Sequence, residues 1–200
     1  MILREGNEPL STSPDDSILL YSKGVGADRN VFAFSQGEDI TAEPIFLNSG
    51  DITNSKISPD GNWVTYVSVE TGINQIYVHP YPDVSSGKWQ ISINGGNEPA
   101  WGFDSKSIYF IGAEDHLYTI SNVNSTNGQF SASLPEIVLD LDDVQFNRLR
   151  NYDVHPSGEK FLFMRTPETD GVLSIDVVSL VMVENWFEEL KRLAPVRISN

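Results

Sequence analysis

The feature of the sequence that most constrains its fold is a short pattern that occurs four times. In each copy a short strand-forming segment leads into a tight turn, and the turn leads into a strongly apolar strand. Most of the turns carry a proline followed by Asp, Ser or Gly, which favour tight reversals of the chain. The four copies span residues 9–22, 54–68, 99–112 and 152–165.

The spacing of these turns indicates a repeat of fixed length. Equivalent turn positions, at intervals of 45, 44 and 53 residues, are held by Asp15, Asp60, Asp104 and Ser157. The tetrapeptide Gly-Asn-Glu-Pro also occurs twice, at residues 6–9 and 96–99, which is two repeats apart. The third turn lacks the proline, and a polar loop at residues 122–129 accounts for the longer last interval. A period of ~40 to 45 residues is typical of a four-stranded propeller blade.

We therefore predict an all-β fold, a β-propeller with four recognisable four-stranded blades and a short C-terminal helix. The chain, residues 1–200, is interpreted as a single propeller domain or a fragment of one. The blades are predicted at about residues 6–50, 51–95, 96–143 and 144–183, and the helix at residues 184–193. Apolar side chains at helical spacing favour that helix, namely Trp186, Leu190 and Leu193.

Two longer stretches resemble a known family. The segments ISPDGNWVTYVSVETGINQIYVHPYP (57–82) and GKWQISINGGNEPAW (87–101) are similar to the WD40-like, PD40-type repeats of TolB-like β-propellers. The chain looks most like the propellers at the C-terminal end of bacterial serine/threonine kinases and regulators, in which a segment like NWFEELKRL (185–193) is also familiar. That family usually has six blades, so the resemblance implies that these four belong to a larger propeller. An open ring would expose sheet edges and favour oligomers.

Composition excludes several classes of partner. There are 13 Lys and Arg residues against 28 Asp and Glu, and the resulting net charge of −15 disfavours nucleic acid. No apolar run approaches the ~20 residues needed to span a bilayer, so direct membrane insertion is not expected. The chain contains no cysteine and no export signal, which leaves both the cytoplasm and the periplasm or another extracytoplasmic compartment of a bacterium open.

The sequence gives no support to catalysis. Nucleophile-elbow, phosphate-loop and His-Glu-x-x-His motifs are all lacking. The three histidines, His79, His116 and His155, fall in different repeats and are interpreted as structural. We expect no catalytic residue, no metal and no cofactor.

The candidate ligand-binding residues follow from the expected geometry. In a propeller the first strand of each blade lines the central channel, so residues that begin these strands surround one channel mouth. By alignment of the repeats these are Glu8, Asn54, Glu98 and Asn151. A ring of polar side chains there could bind a cation or a peptide amine, although Glu-Pro is also ordinary chemistry for the start of a strand.

Three functions remain open from the sequence. The resemblance favours a non-catalytic module that binds a protein, a peptide or a small ligand as the sensor or interaction part of a longer chain. The alternative is the propeller gating domain of a serine peptidase of the prolyl oligopeptidase or tricorn kind, with its catalytic domain elsewhere. A third is a structural spacer with no ligand.

Overall fold

The computed structural model describes residues 7–35, 44–46, 50–112, 115–126, 129–141, 151–165 and 179–184. In that part of the chain, secondary structure consists of antiparallel strands and two three-residue 3-10 turns. The all-β prediction is thereby confirmed. Most of the predicted helix, residues 185–193, lies outside the described residues, and Glu184 ends a strand.

In the first two sheets the strands lie side by side in the order in which they follow along the chain. The first contains three strands in the order β1-β2-β3, and Pro44 adds an isolated bridge to Phe32 at its outer edge. The second contains four strands in the order β4-β5-β6-β7. Their bounds are β1 Glu8–Thr12, β2 Ile18–Lys23, β3 Asn30–Ser35, β4 Ile52–Ile57, β5 Trp63–Ser68, β6 Gln75–Pro80 and β7 Trp89–Gln90.

The third and fourth sheets continue the pattern. The third has the order β8-β9-β10-β13 from its inner to its outer edge, with a separate hairpin β11-β12, and the fourth has the order β14-β15-β16. The bounds are β8 Asn97–Trp101, β9 Ile108–Ile111, β10 His116–Ile120, β11 Asn124–Thr126, β12 Gln129–Ser131, β13 Glu136–Asp140, β14 Tyr152–Val154, β15 Lys160–Arg165 and β16 Ser179–Glu184.

The β11-β12 hairpin differs from the polar loop predicted at residues 122–129. Its two strands pair from Asn124 opposite Ser131 to Thr126 opposite Gln129. The ring of Phe130 lies 5.3 Å from that of Trp63 and 5.1 Å from that of Trp89. Composition predicted a loop because Asn and Ser dominate the segment, whereas burial of one aromatic side chain on the second sheet favours the hairpin.

The turns between the first two strands of each sheet are closed by side chains. In the first, the Ser13 hydroxyl donates to Asp15 Oδ1 at 2.6 Å and accepts from the Ile18 N–H at 2.9 Å. Ser58 forms the same two bonds, to Asp60 at 2.6 Å and from Trp63 at 3.0 Å. The Ser-Pro-Asp pattern therefore recurs because it satisfies the backbone of a tight turn.

These turn carboxylates are held in the ionised state. Hydrogen bonds from Ser13 and then Ser17 lower the pKa of Asp15 from 3.8 to about 2. Burial, the largest single effect at Asp60, raises its pKa, but hydrogen bonds from Ser58 and Asn62 outweigh burial and lower the pKa overall. Both turns consequently carry a negative charge at neutral pH.

The core lies between neighbouring sheets. One cluster joins Trp63 and Ile76 of the second sheet to Trp101 and Phe110 of the third. A second joins the first and second sheets, and a third joins the third and fourth. Each sheet is therefore stabilised mainly by packing on the next one along the chain.

Hydrogen bonds between the first strands reinforce this packing. The Trp101 indole N–H donates to the Lys56 carbonyl at 3.1 Å, the Ile57 N–H to Ser11 Oγ at 3.2 Å, and the Lys56 ammonium to the Leu10 carbonyl. These bonds link β1, β4 and β8 in sequence.

Trp101→Ala should lower the free energy of unfolding by ~3 to 5 kcal/mol, because it removes a buried aromatic side chain and an inter-sheet hydrogen bond. Trp101 is 7% exposed, whereas its neighbour Phe103 is 58% exposed. Phe103→Ala is therefore the control and should change stability by less than ~1 kcal/mol. Urea denaturation monitored by circular dichroism measures both, and a small loss for Trp101→Ala would contradict its placement in the core.

Candidate functional site

Two of the four predicted channel-mouth residues are brought together. The Glu98 carboxylate accepts from the Asn151 backbone N–H at 2.8 Å and from its side-chain amide at 2.5 Å. The Tyr152 hydroxyl donates to the Glu98 carbonyl at 2.8 Å. Asn151 is 1% exposed. The pair therefore ties the third sheet to the fourth, and both carboxylate oxygens of Glu98 already accept hydrogen bonds from the protein.

Asn54 holds the position of Glu98 in the preceding sheet. Both residues lie in an irregular stretch of the first strand where pairing with the second strand shifts. Both have φ of 53°, a left-handed conformation that asparagine tolerates better than most residues. The repeat alignment of these two positions is thus reproduced in the backbone geometry.

Glu8 lies one residue earlier in its strand than Asn54 and Glu98 do in theirs. It pairs with Ser22, as Thr53 pairs with Val67 and Asn97 with Ile111 in the next two sheets. Glu8 is exposed. Its misplacement in the alignment arises because the first repeat has one more residue between the glutamate and the turn, so the matching Gly-Asn-Glu-Pro tetrapeptides are out of register by one residue.

A cavity lies at the other end of the same first strands, away from Asn54 and Glu98 and beside the turns. It is called the central cavity below. Its volume is about 420 Å³. All four sheets contribute to its wall: Thr12 from β1, Lys56 and Ile57 from β4, Ala100 and Trp101 from β8, and Asp153 and Val154 from β14, together with turn residues that include Pro14, Pro59 and Phe103. The four repeats therefore converge on one space.

The cavity combines apolar walls with a few charged groups. Asp16 and Asp153 are exposed carboxylates, and Lys56 supplies a positive charge whose ammonium also bonds to the first strand. Phe103 replaces the proline found at the equivalent position of the other three turns and remains 58% exposed. Such a lining suits a ligand with both apolar and polar parts.

The sequence could have indicated this end of the strands. The last two residues of each first strand stand directly before a turn, as the predicted residues stand at the beginning of the strand. The repeat alignment predicted binding residues only at the beginning of each first strand, where the Gly-Asn-Glu-Pro tetrapeptide recurs. Thr12, Lys56 and Asp153 were missed for that reason.

The histidines make structural contacts in three different sheets. His79 is buried in β6, where Nδ1 lies 2.7 Å from the Val84 carbonyl and Nε2 lies 3.0 Å from the Tyr66 hydroxyl. His116 Nε2 is 3.9 Å from Asp140, and His155 closes its own turn by accepting from the Ser157 N–H at 3.2 Å. Among the described residues, no group of three or more His, Cys, Asp or Glu side chains could hold a metal ion.

No helix in the described part of the chain is long and apolar enough to span a bilayer.

Solved β-propeller structures are similar to this arrangement of sheets. TolB from Acinetobacter baumannii superposes with a TM-score of 0.64 over 90% of this chain, at 14% sequence identity. The chain has the fold of a TolB-like β-propeller. It spans 40% of the length of that TolB chain. No protein-family model and no curated protein sequence matches it.

Other propellers are also similar to this TolB-like fold. The β-propeller domain of Cps50 (Swd1) from Myceliophteria thermophila superposes with a TM-score of 0.55 over 82% of this chain, at 12% identity and covering 50% of that chain. The tricorn protease superposes with a TM-score of 0.55 over 92% of this chain, at 7% identity and covering 17% of that chain. WD40-like and peptidase propellers thus share the architecture. The special likeness to kinase propellers stays a prediction.

Glu98→Gln should lower the free energy of unfolding by ~1 to 3 kcal/mol, because an amide cannot accept hydrogen bonds from Asn151 on both sides. Glu8→Gln is the matched control and should leave stability within ~0.5 kcal/mol, since Glu8 is exposed. Urea denaturation of the two variants compares them directly. Equal stability would mean that the Glu98–Asn151 contact contributes nothing to the joining of the sheets.

The buried histidine predicts a pH dependence of stability. Burial lowers the pKa of His79 from its ordinary 6.5, so the unfolded chain binds the proton more tightly than the folded one. The free energy of unfolding should therefore be highest above the unfolded pKa and fall as the pH drops from about 7.5 to 5. His79→Gln should flatten this slope, and His155→Gln, at an exposed turn, should preserve it. A slope unchanged by His79→Gln would exclude His79 as its source.

Proposed function

We propose that this chain is a non-catalytic binding module whose ligand, a segment of a protein or peptide, occupies the central cavity beside the turns. The observation that carries the proposal is the convergence of four equivalent strand ends on one space of about 420 Å³. A volume in the range of ~300 to 1,000 Å³ is usual for ligand sites. Because all four sheets contribute to its wall, the cavity is one space shared by the four repeats.

The lining supports a peptide over a compact polar metabolite. Apolar surface from Pro14, Pro59 and the exposed ring of Phe103 alternates with the carboxylates of Asp16 and Asp153. An extended segment that places an apolar side chain beside a basic one would match this arrangement. The net charge of −15 would also attract basic partners over long distances.

The gating domain of a serine peptidase is the second candidate. It is favoured by the structural similarity to the tricorn protease, which concerns the fold. In that function the cavity would be a passage, and peptides would cross it without being held. Saturable binding of a peptide therefore separates the two proposals.

Filling the cavity tests the binding proposal. Peptides selected by phage display against the wild-type chain should lose at least about tenfold in affinity for Thr12→Trp, a loss of ~1.4 kcal/mol, because the indole takes the space of the ligand. Thr12 is exposed at the end of β1, so folding should be preserved. Ile137→Trp, at a half-exposed site on the outer strand β13, is the control and should bind normally.

Isothermal titration calorimetry measures the affinities, and urea denaturation checks the fold of both variants. Equal binding to Thr12→Trp would place the ligand outside the cavity. Failure to select any saturable ligand would favour the passage or a structural spacer.

A further inference from the structure

A second cavity lies between the second and third sheets, away from the central axis. Its volume is about 530 Å³. It is called the inter-sheet cleft below. The second sheet contributes Asp60, Asn62, Trp63, Pro80 and Ser86, and the third contributes Asp104, Ser105, Lys106, Val123 and Asn124.

The repeats supply an internal comparison that shows why this cleft is open. Between the first and second sheets the equivalent space receives Tyr81, whose ring packs with Val84 against the core of those two sheets. Burial, and then the nearby charge of Asp15, raise the pKa of Tyr81. That cleft is therefore filled by an aromatic side chain of the protein itself.

The third sheet places a smaller side chain at the matching position. The Tyr81 N–H donates to the Asn62 carbonyl, and the Val123 N–H donates to the carbonyl of Lys106, the equivalent residue of the third sheet. Val123 is therefore the equivalent of Tyr81, and Asn122, with φ of 56°, is one extra residue before it. A buried valine in place of the phenol leaves the cleft unfilled.

The floor of the cleft is preorganised. The Asp60 backbone N–H donates to Ser105 Oγ at 2.9 Å, which holds the two turns in a fixed relation. Trp63, 6% exposed, packs edge-on against Trp89 with ring centroids 6.0 Å apart. Among the described residues, nothing accepts a hydrogen bond from the Trp63 indole N–H, whereas that of Trp101 donates to Lys56. One wall therefore offers an unused donor.

Charge indicates the class of ligand. The lining of the cleft contains two carboxylates, those of Asp60 and Asp104, and one cation, Lys106. The Asp104 carboxylate accepts from the Lys106 and Ser107 backbone N–H groups at 2.9 and 3.1 Å, which fixes its position without neutralising it. Two fixed carboxylates form good partners for a guanidinium group. Amides and hydroxyls from Asn62, Ser86 and Asn124 can bond to a peptide backbone.

We propose that the inter-sheet cleft binds an arginine-bearing peptide segment, with the guanidinium at Asp60 and Asp104 and a peptide carbonyl on the Trp63 indole. Trp63, Pro80 and Val123 provide the apolar surface for the stem of the side chain. This site is separate from the central cavity, and the two proposals do not depend on each other.

The test uses the whole chain and a defined probe, the N-acetylated, C-amidated tripeptide Arg-Pro-Arg, with Gln-Pro-Gln as its uncharged counterpart. Titration followed by two-dimensional NMR reports the Trp63 and Trp101 indole signals separately. Arg-Pro-Arg should shift the Trp63 signal in a saturable manner, and Gln-Pro-Gln should not. A shift confined to Trp101 would place the peptide in the central cavity and overturn the proposal.

Matched variants separate the cleft from the general negative field of the protein. Asp104→Asn should weaken the probe by about tenfold, since it removes a charge-assisted partner. Asp15→Asn alters a turn carboxylate that also accepts a backbone N–H, but it lies between the first and second sheets, where Tyr81 fills the cleft. This variant should change the affinity for Arg-Pro-Arg by less than about twofold. Equal weakening by both would attribute the attraction to net charge and overturn the site.

Lys106→Gln keeps the result interpretable if Asp104→Asn impairs folding. Lys106 is exposed, so its replacement should preserve the fold. Loss of the competing cation should tighten binding of Arg-Pro-Arg by about threefold at low salt. Unchanged or weaker binding by this variant would contradict the proposed position of the guanidinium.

Discussion

The contact between the first strands of successive sheets is the constraint on which the rest of the structure depends. Lys56 bonds back to β1 through its ammonium, and its carbonyl accepts from Trp101 of β8. The same strand therefore determines the distance between three sheets. Since the core lies between sheets, a change in this distance would disturb the packing of each pair. The central cavity and the inter-sheet cleft both have their dimensions fixed by these contacts.

The turns connect local chemistry to this architecture. A serine and an aspartate close each of the first two turns, and the ionised aspartate adds negative charge at the same end of the sheets as the central cavity. The turn of the third sheet then contacts the turn of the second through Ser105. A motif selected by backbone geometry thus also determines the electrostatic character of the surface on which the two proposed sites open.

Divergence among the repeats is where the chain becomes specific. Phe103 stands where the other turns have proline, and Val123 stands where the second sheet has Tyr81. Neither substitution is needed by the fold, because the turn hydrogen bonds at Asp104 and the strand pairing at Ile120 are retained. The first leaves an apolar ring exposed beside the central cavity and the second leaves a cleft open. Propellers with the same architecture can in this way present different surfaces.

The sequence by itself determined the strands, the turns and the repeat, because alternation of side chains, proline and aspartate act over a few residues. It also determined the equivalence of Asn54 and Glu98, which the alignment predicted and their common φ of 53° reproduces. Only the tertiary structure decided that Glu98 is engaged by Asn151 and that Phe130 folds onto Trp63 and Trp89. The physical reason is that these contacts join residues far apart in sequence, and which space remains open depends on the side chains of both neighbouring sheets.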